Sequence, residues 1–551
     1  MLICCKEINE YISLCDSGLL TISHDVRLLI DNIVKPILVD ESIRFDEETY
    51  DKYLKFTSKY YYASFPFQKF LAAFHFMYYD NDTLVFNEYL YMMGRGNGKD
   101  GFIAPLCNFF QTEYFGVKNY HIDIVANDES QAEETFEVVY DMMTSPEYKN
   151  LMKKNFVVNK ERIQNKKTKS KLKFNTANSK TKDGKKPGCV VFNEIHAYEN
   201  YANINVHTSG RGKVKYARTI YITTNGYVRG GPLDDYINLS EMKLRGELPK
   251  LRLFPFLCRL DTDREANDFN TFEKANPSIN YLPALRQEIK DVFDNLEYKP
   301  STKVEFYVKR LNLIKEERDK CAATWENIVR CNVPVGDVRG KLCICGIDYA
   351  EIRDFASVLF EIPNGQYFDI DHHSWFNMNS DTANSIKYDI DSAVERGEIT
   401  TVTTPTIDPD MIVNYIIDKT RVYEIYYIVM DTFRYSLFKN SFERYGIYPR
   451  SRENPNGRLI LVRSGAFTHS KVAPQIDVKF ENGLYRWGND RTMNWFVNNT
   501  GVKTHPNGNK EYFKINSETR KNDGFMGLVH CESMINELPN LVVDDDDESL
   551  L

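Results

Sequence analysis

Residues Tyr91 to Phe102 read YMMGRGNGKDGF, and the fold turns on whether this run is a phosphate-binding loop or an ordinary glycine turn. A phosphate loop needs glycines where the chain bends tightly, backbone N–H groups aimed at phosphate oxygens, and a lysine ahead of a helix start. Gly98 and Lys99 satisfy that pattern, the preceding TLVFNEYLYMM is strand-like, and Phe102 to Phe110 has helical character. Two letters depart from GxxxxGK[ST]: Met93 occupies the first glycine position, and Asp100 stands where a hydroxyl would face magnesium. Alone, the half-match fits a plain glycine-rich turn better than a nucleotide site.

The chain has 551 residues, 42% hydrophobic and 27% charged. That is soluble-globular composition with room for roughly two to four domains. No apolar run nears the roughly 18 residues of a membrane span, and MLICCKEINEYISLC carries acidic residues where a signal peptide would be apolar. The expectation is an intracellular protein with no membrane partner. Eleven cysteines are scattered without CxxC knuckles or a paired framework, so they are expected in the core, Cys343 and Cys345 on one strand face. The net charge of −8 argues against a protein that coats nucleic acid, yet Lys153 to Lys173 holds nine Lys or Arg against one Glu. Lys180, Lys182, Lys185 and Lys186 extend this strip, which fits a solvated hairpin or a transient DNA track.

Residues 1–60 read as a polar helical extension. Residues 61–255 alternate buried-strand runs (YHIDIVA, GCVVFNE, RTIYITTN) with helices, the pattern of a mostly parallel sheet and the setting a phosphate loop requires. Residues 256–340 are charged and helical, expected as a linker. A second α/β region spans 341–540, opening with strands predicted at 342–350, 356–361 and 366–376 in an antiparallel meander. VVDDDDESLL marks 541–551 as a disordered acidic tail.

Three segments favour the nucleotide reading. GCVVFNE is a buried strand ending in Asn193 and Glu194, a Walker B pattern with Asn in the Asp position and Glu194 as candidate base. TIYITTNG ends in Thr223, Thr224 and Asn225, groups suited to sensing a γ-phosphate. Gln68, in FPFQK, can read an adenine edge.

Taken in order, MGRGNGKDG, KDGKKPGCVVFNEIHAYEN, TIYITTNG and FEKANPSINY resemble the large terminase subunit of tailed bacteriophages, over most of residues 60–535. The resemblance implies an ASCE-type P-loop ATPase domain, a linker and an RNase H-like nuclease, both α/β. It implies ATP bound by Gln68, Gly94, Arg95, Gly96, Asn97, Gly98, Lys99 and Asp100, with Glu194 catalytic and Thr223 to Gly226 coupling turnover to movement. Arg211 is the candidate finger reaching a neighbouring subunit's ATP, with Arg218 and Arg229 as alternatives. Implied partners are double-stranded DNA, a portal protein, a small terminase subunit and copies of the chain in a ring, in the host cytoplasm.

The two departures compensate: a carboxylate in the loop and a neutral amide on the strand reverse the usual magnesium ligands. Asp100 and Asn193 are therefore expected to exchange roles, keeping one carboxylate on Mg²⁺. Impaired turnover is the alternative.

Two-metal phosphodiester cleavage needs carboxylates converging from separate strands. Asp348 in CICGIDYA and Asp431 in YEIYYIVMDTF each end an apolar run, and Asp523 in RKNDGFMG stands at a helix start. Each has an ordinary reading as a turn residue or an N-cap; the family resemblance selects all three together as ligands for Mg²⁺ or Mn²⁺. Glu351 and Asp354 could supply a fourth carboxylate but read better as solvated turn residues, and His372, His373 and His530 are candidates for phosphate or metal contact that read better in ordinary surface or core roles. Rival readings are a catalytically silent DNA-binding or portal-docking subunit, or a P-loop helicase or repair nuclease.

Overall fold

The computed structural model describes residues 3, 5–176, 187–199, 201–208, 210–299, 302–314, 321–349, 355–380, 383–386, 388–505, 508–515 and 519–539. Lys180, Lys182, Lys185, Lys186, Glu351, Asp354 and the acidic tail lie outside them. The chain divides into two units, 1–315 and 316–551. That boundary falls inside the segment expected as a linker. Residues 260–299 and 302–313 instead pack in the first unit around a core of their own that includes Phe272, Ile289, Phe306 and Leu311. The N-terminal segment likewise contributes Ile8, Tyr11, Tyr50 and Tyr53 to the main core of that unit. No helix among the described residues is long and apolar enough to cross a membrane. The described cysteines are free thiols, all buried except the half-buried Cys321.

The first unit is built on eight strands: β1 (Glu88–Met92), β2 (Ile122–Ala126), β3 (Phe156–Val158), β4 (Arg162–Asn165), β5 (Lys171–Thr176), β6 (Cys189–Asn193), β7 (Arg218–Thr223) and β8 (Leu253–Leu257). Their order is β8-β1-β7-β6-β2-β5-β4-β3. From β8 to β5 every pair is parallel, and β4 and β3 extend the edge antiparallel. Strands β2, β6 and β7 are buried along their length, as parallel strands covered on both faces should be. The basic strip forms the antiparallel edge. Helix α1 (Lys99–Phe110) follows β1, α2 (Glu129–Thr144) follows β2, and α3 (Lys303–Leu311) lies near the end of the unit. Strand β7 lies between the strand of the glycine loop and the strand ending in Asn193, so their carboxyl ends meet at one edge, where α/β sheets bind ligands.

In the second unit β9 (Leu342–Tyr349), β10 (Phe355–Asn364) and β11 (Tyr367–Asn377) form the expected antiparallel meander. Strands β13 (Glu424–Asp431) and β14 (Leu459–Val462) add in parallel beside β9, and β12 (Ile399–Val402) adds to β11, giving the order β12-β11-β10-β9-β13-β14. Among the helices of the unit are α4 (Ala466–Glu481) and α5 (Asp523–Glu532). Helix α5 lies close on β9 because the contact is made by glycine: a Cβ on Gly346 would stand 2.1 Å from the Gly527 carbonyl oxygen and 2.9 Å from Cys531 Sγ. This approach brings Asp523, at the start of α5, beside the central strand.

Gly346→Ala should cost about 1–3 kcal/mol, because the obstacle is backbone that cannot rotate away. Calorimetry of the full chain should show the second unit's transition falling by several degrees while the first unit's transition stays in place.

Candidate active sites

The glycine loop is held from behind by residues after β8. Asn97 is buried; its Nδ2 donates to Gly94 O at 2.9 Å and to Asn276 Oδ1 at 2.7 Å, while its Oδ1 accepts from Ser278 N at 3.0 Å. Asn276 Nδ2 in turn donates to the carbonyls of Phe272 and Arg310. Gly94 N donates to Ala275 O at 2.8 Å, and a Cβ on Gly94 would meet Asn276 Oδ1 at 2.3 Å, so no larger residue fits beneath the clamp. The last turn of α3 closes the other side, with Lys309 O accepting from Arg95 N at 2.7 Å and Arg310 Nη1 donating to Arg95 O at 2.7 Å. Gly98 takes the left-handed conformation, φ 72°, as the residue capping α1.

This clamp corrects one expectation: the Asn97 side chain braces the loop and is not free for a nucleotide. The same holds for Thr224, whose hydroxyl donates to Asn225 O, and for Asn225, whose amide is spent on Asn312, Arg229 and Gly226. Gln68 is also engaged, accepting from Phe65 N and donating to Tyr62 Oη, both at 3.0 Å. Tyr62 Oη lies 3.7 Å from where a Cβ on Gly101 would stand, so this pair borders the start of α1. Arg95 is exposed at the loop tip, 3.9 Å from Glu305. Arg218 is buried against the Phe110 ring, 4.4 Å from its centroid, and Arg229 is buried on Asp234, which removes both as fingers for a neighbour. Arg211 opens a short 3-10 turn, Arg211–Lys213.

Lys99, Asp100, Asn193, Glu194 and Thr223 converge. Lys99 is buried, its ammonium 3.2 Å from Met93 O and 3.4 Å from Gly94 O; burial lowers its pKa against the pull of Glu194 and Asp100. Asn193 Nδ2 donates to Asp100 Oδ1 at 3.1 Å and to Gln131 O at 3.0 Å, and the Thr135 hydroxyl donates to the same Asp100 oxygen. Asn193 Oδ1 is buried without a hydrogen-bond partner. An orphaned amide oxygen beside a carboxylate is the donor set a hard cation takes, so these two residues fit magnesium.

Glu194 stands in left-handed backbone, φ 53°, just past β6. Burial alone would raise its carboxyl, but His196, Lys99 and Lys309 outweigh burial and bring it down to about 2. His196 Nδ1 lies 2.8 Å from Glu194 Oε2 and 3.1 Å from Thr223 Oγ1. Burial pushes His196 below the ordinary range, and it lowers Lys309 to about 8 against the pull of Glu194.

In the second unit the register pairs Ile347 of β9 with Met430 of β13. One step further Asp348 and Asp431 stand on neighbouring strands, with backbones about 4.8 Å apart. Asp431 accepts from Phe433 N at 2.7 Å and Ser464 N at 3.1 Å; Asp523 is buried with Lys514 Nζ 3.3 Å from each of its oxygens. Burial first, then Asp523 and Asp431, push Asp348 up to about 7 against Lys514 and Arg434. Among the described residues no three His, Cys, Asp or Glu side chains already form a metal cage. The carboxylates nevertheless crowd one another with one lysine among them, an excess of negative charge that a divalent cation would relieve. His530 on α5 bonds Ile347 O at 2.8 Å, and His372 bonds Asp490 and Ser374, as packing residues should.

Thr135, His196, Asn276, Ser278, Lys309 and Lys514 are the residues sequence reading missed. His196 and Asn276 stood inside quoted motifs, EIHAY and KANPS, without a role; Thr135, Lys309 and Lys514 carry no local signal.

A family model described as terminase large subunit, ATPase domain, matches residues 66–241, and one described as terminase large subunit, endonuclease domain, matches residues 250–530. The terminase large subunit of Lactococcus phage SK1 is 24% identical over 444 residues, 78% of each chain. Protein YmfN of Escherichia coli K12 is 21% identical over 364 residues, 63% of this chain and 77% of that one. The crystal structure of the HK97 bacteriophage large terminase shares 16% identity, covering 88% of this chain and 99% of that chain with a TM-score of 0.49.

Asn276→Ala removes the acceptor for Asn97 and two bonds to backbone carbonyls. Losing buried partners costs about 1–3 kcal/mol, so the KM for ATP should rise about tenfold or more. Steady-state ATPase kinetics check this, with Asn97→Ala expected to behave alike.

Proposed function

Because the chain belongs to the terminase large-subunit family, a DNA-packaging ATPase joined to an endonuclease, we propose that ATP is held on the loop Gly94 to Asp100 and cleaved there with Glu194 orienting the water. The observation that carries this reading is the convergence of Lys99, Asp100, Asn193 and Glu194 at the carboxyl edge of one parallel sheet. Backbone N–H groups of the loop and the start of α1 bind phosphate oxygens, and Lys99 leaves the Met93 and Gly94 carbonyls for the phosphate chain. Glu194 stays ionised beside His196 and can accept a hydrogen bond from water aligned on the terminal phosphate. Asp100 and Asn193 would hold the magnesium that accompanies ATP, which would offset the charge of the phosphates.

Thr223 contacts His196 through its hydroxyl, so the end of β7 senses changes at Glu194. We assign energy transfer to DNA movement to this strand end. Asp348, Asp431 and Asp523 would hold Mg²⁺ or Mn²⁺, which supply an activated water and stabilise the leaving oxygen. Asp431 is held by the N–H groups of Phe433 and Ser464, and Lys514 offsets Asp523 until a cation does so.

The substrate is double-stranded DNA, translocated into a prohead and cut from a concatemer. The work is done by a ring of copies docked on a portal protein in the host cytoplasm, with a small terminase subunit choosing the site. Arg211, on its turn, supplies a cation at the neighbouring site. The basic edge formed by β3, β4 and β5 is the surface we assign to DNA or subunit contact.

Two substitutions separate the activities. Lys99→Ala should abolish ATP hydrolysis, by 10²-fold or more, while plasmid cleavage with Mn²⁺ persists. Asp431→Asn should abolish cleavage and leave ATPase within about twofold. Plasmid cut equally by the wild type and Asp431→Asn would remove the aspartates from the reaction.

A further inference from the structure

Lys309 lies 213 positions beyond the loop's Gly96 in sequence terms yet its ammonium stands inside the nucleotide site. Its Nζ is 2.6 Å from His196 Nε2 and 3.1 Å from Asn225 O. The proton order along this chain follows from its ends. Lys309 can only donate, so His196 Nε2 accepts, and the ring carries its hydrogen on Nδ1. That hydrogen is given to Thr223 Oγ1 at 3.1 Å, whose own hydrogen goes to Thr224 O, and Nδ1 lies 2.8 Å from Glu194 Oε2. The reverse tautomer would set a bare nitrogen against a carboxylate. Lys309 therefore fixes how His196 holds Glu194.

The same turn is tied to the loop and to the end of β7. Lys309 O accepts from Arg95 N, and Asn312, in left-handed backbone with φ 54°, accepts from Asn225 N at 2.8 Å. Lys309 and Lys99 both feel the Glu194 carboxylate, with Asp100 also near Lys99 and Glu305 near Lys309 and Arg95. Among the described residues, the ammonium of Lys309 makes its direct hydrogen bonds only to an imidazole nitrogen and a backbone carbonyl, weaker partners than a phosphate oxygen.

We infer that Lys309 is a positioning residue that reads the terminal phosphate of ATP. Without that phosphate its ammonium holds His196, and through it Glu194. With the phosphate present it exchanges the imidazole nitrogen for a phosphate oxygen, a stronger charge-assisted partner, and His196 and Glu194 are freed to align water. ADP lacks the oxygen and leaves the lock in place. The inference rests on the ATP-site reading given above.

The test uses the full-length protein, binding ATPγS and ADP with Mg²⁺ by calorimetry, alongside ATPase kinetics. Lys309→Met should weaken ATPγS binding about tenfold or more while ADP binding stays within about twofold, and kcat should fall about tenfold. Lys309→Arg should recover most of the preference for ATPγS over ADP, which also guards against a folding defect in the Met variant. Equal weakening of both nucleotides, or an unchanged ratio in Lys309→Met, overturns the assignment. Lys99→Ala separates the two failures: if it leaves nucleotide binding intact, the ATP-site reading falls and this inference with it.

Discussion

The hydrogen bond from Asn193 to Asp100 is the constraint around which the nucleotide site is arranged. It joins the end of β6 to the first turn of α1, the two elements that a metal-nucleotide complex must hold together. Because Asn193 Nδ2 is committed to Asp100 and to Gln131 O, its Oδ1 faces inward without a partner. An unsatisfied buried acceptor costs about 1–3 kcal/mol, and a cation at that position would offset the cost. In the exchange we propose, the unusual letter in the loop and the unusual letter on the strand answer one electrostatic requirement, one carboxylate and one neutral oxygen for the metal, with their sources reversed. Thr135 adds a hydroxyl to the same carboxylate from α2, tying a third element to the pair.

Around this bond the first unit is closed by residues that follow its sheet. Asn276 and Ser278 grip Asn97 from behind, and the end of α3 grips Arg95, so the loop's conformation depends on chain nearly two hundred residues away. A segment that bonds the loop, the His196–Glu194 pair and the end of β7 together is mechanically placed to carry a change in the nucleotide to the rest of the unit. The nuclease site uses a different device for a similar problem. There, close glycine packing of α5 on β9 crowds three carboxylates, and Lys514 offsets part of the charge.

The large features were legible because they repeat along the sequence. Buried strands ending in polar residues gave the parallel sheet, and the meander at the start of the second unit agreed with the observed strands to within a few residues. The pairing of Asp100 with Asn193 was legible too, since each departed from a spaced pattern. The clamp was not. Asn97 read as a nucleotide contact because loop position alone does not reveal which way a side chain faces, and the linker's role was hidden because its partners are distant in sequence. Lys309 and Lys514 sit in charged segments where one lysine resembles the next.

The exchange of roles between Asp100 and Asn193 is tested most directly by Mn²⁺ binding in the presence of ADP, followed by electron paramagnetic resonance. Measurements on the wild type, Asp100→Ser, Asn193→Asp and the double variant decide it. The exchange predicts that Asp100→Ser weakens Mn²⁺ binding by about tenfold or more and that adding Asn193→Asp restores it to near the wild-type value. Wild-type affinity in Asp100→Ser, or a double variant no better than that single change, would contradict it.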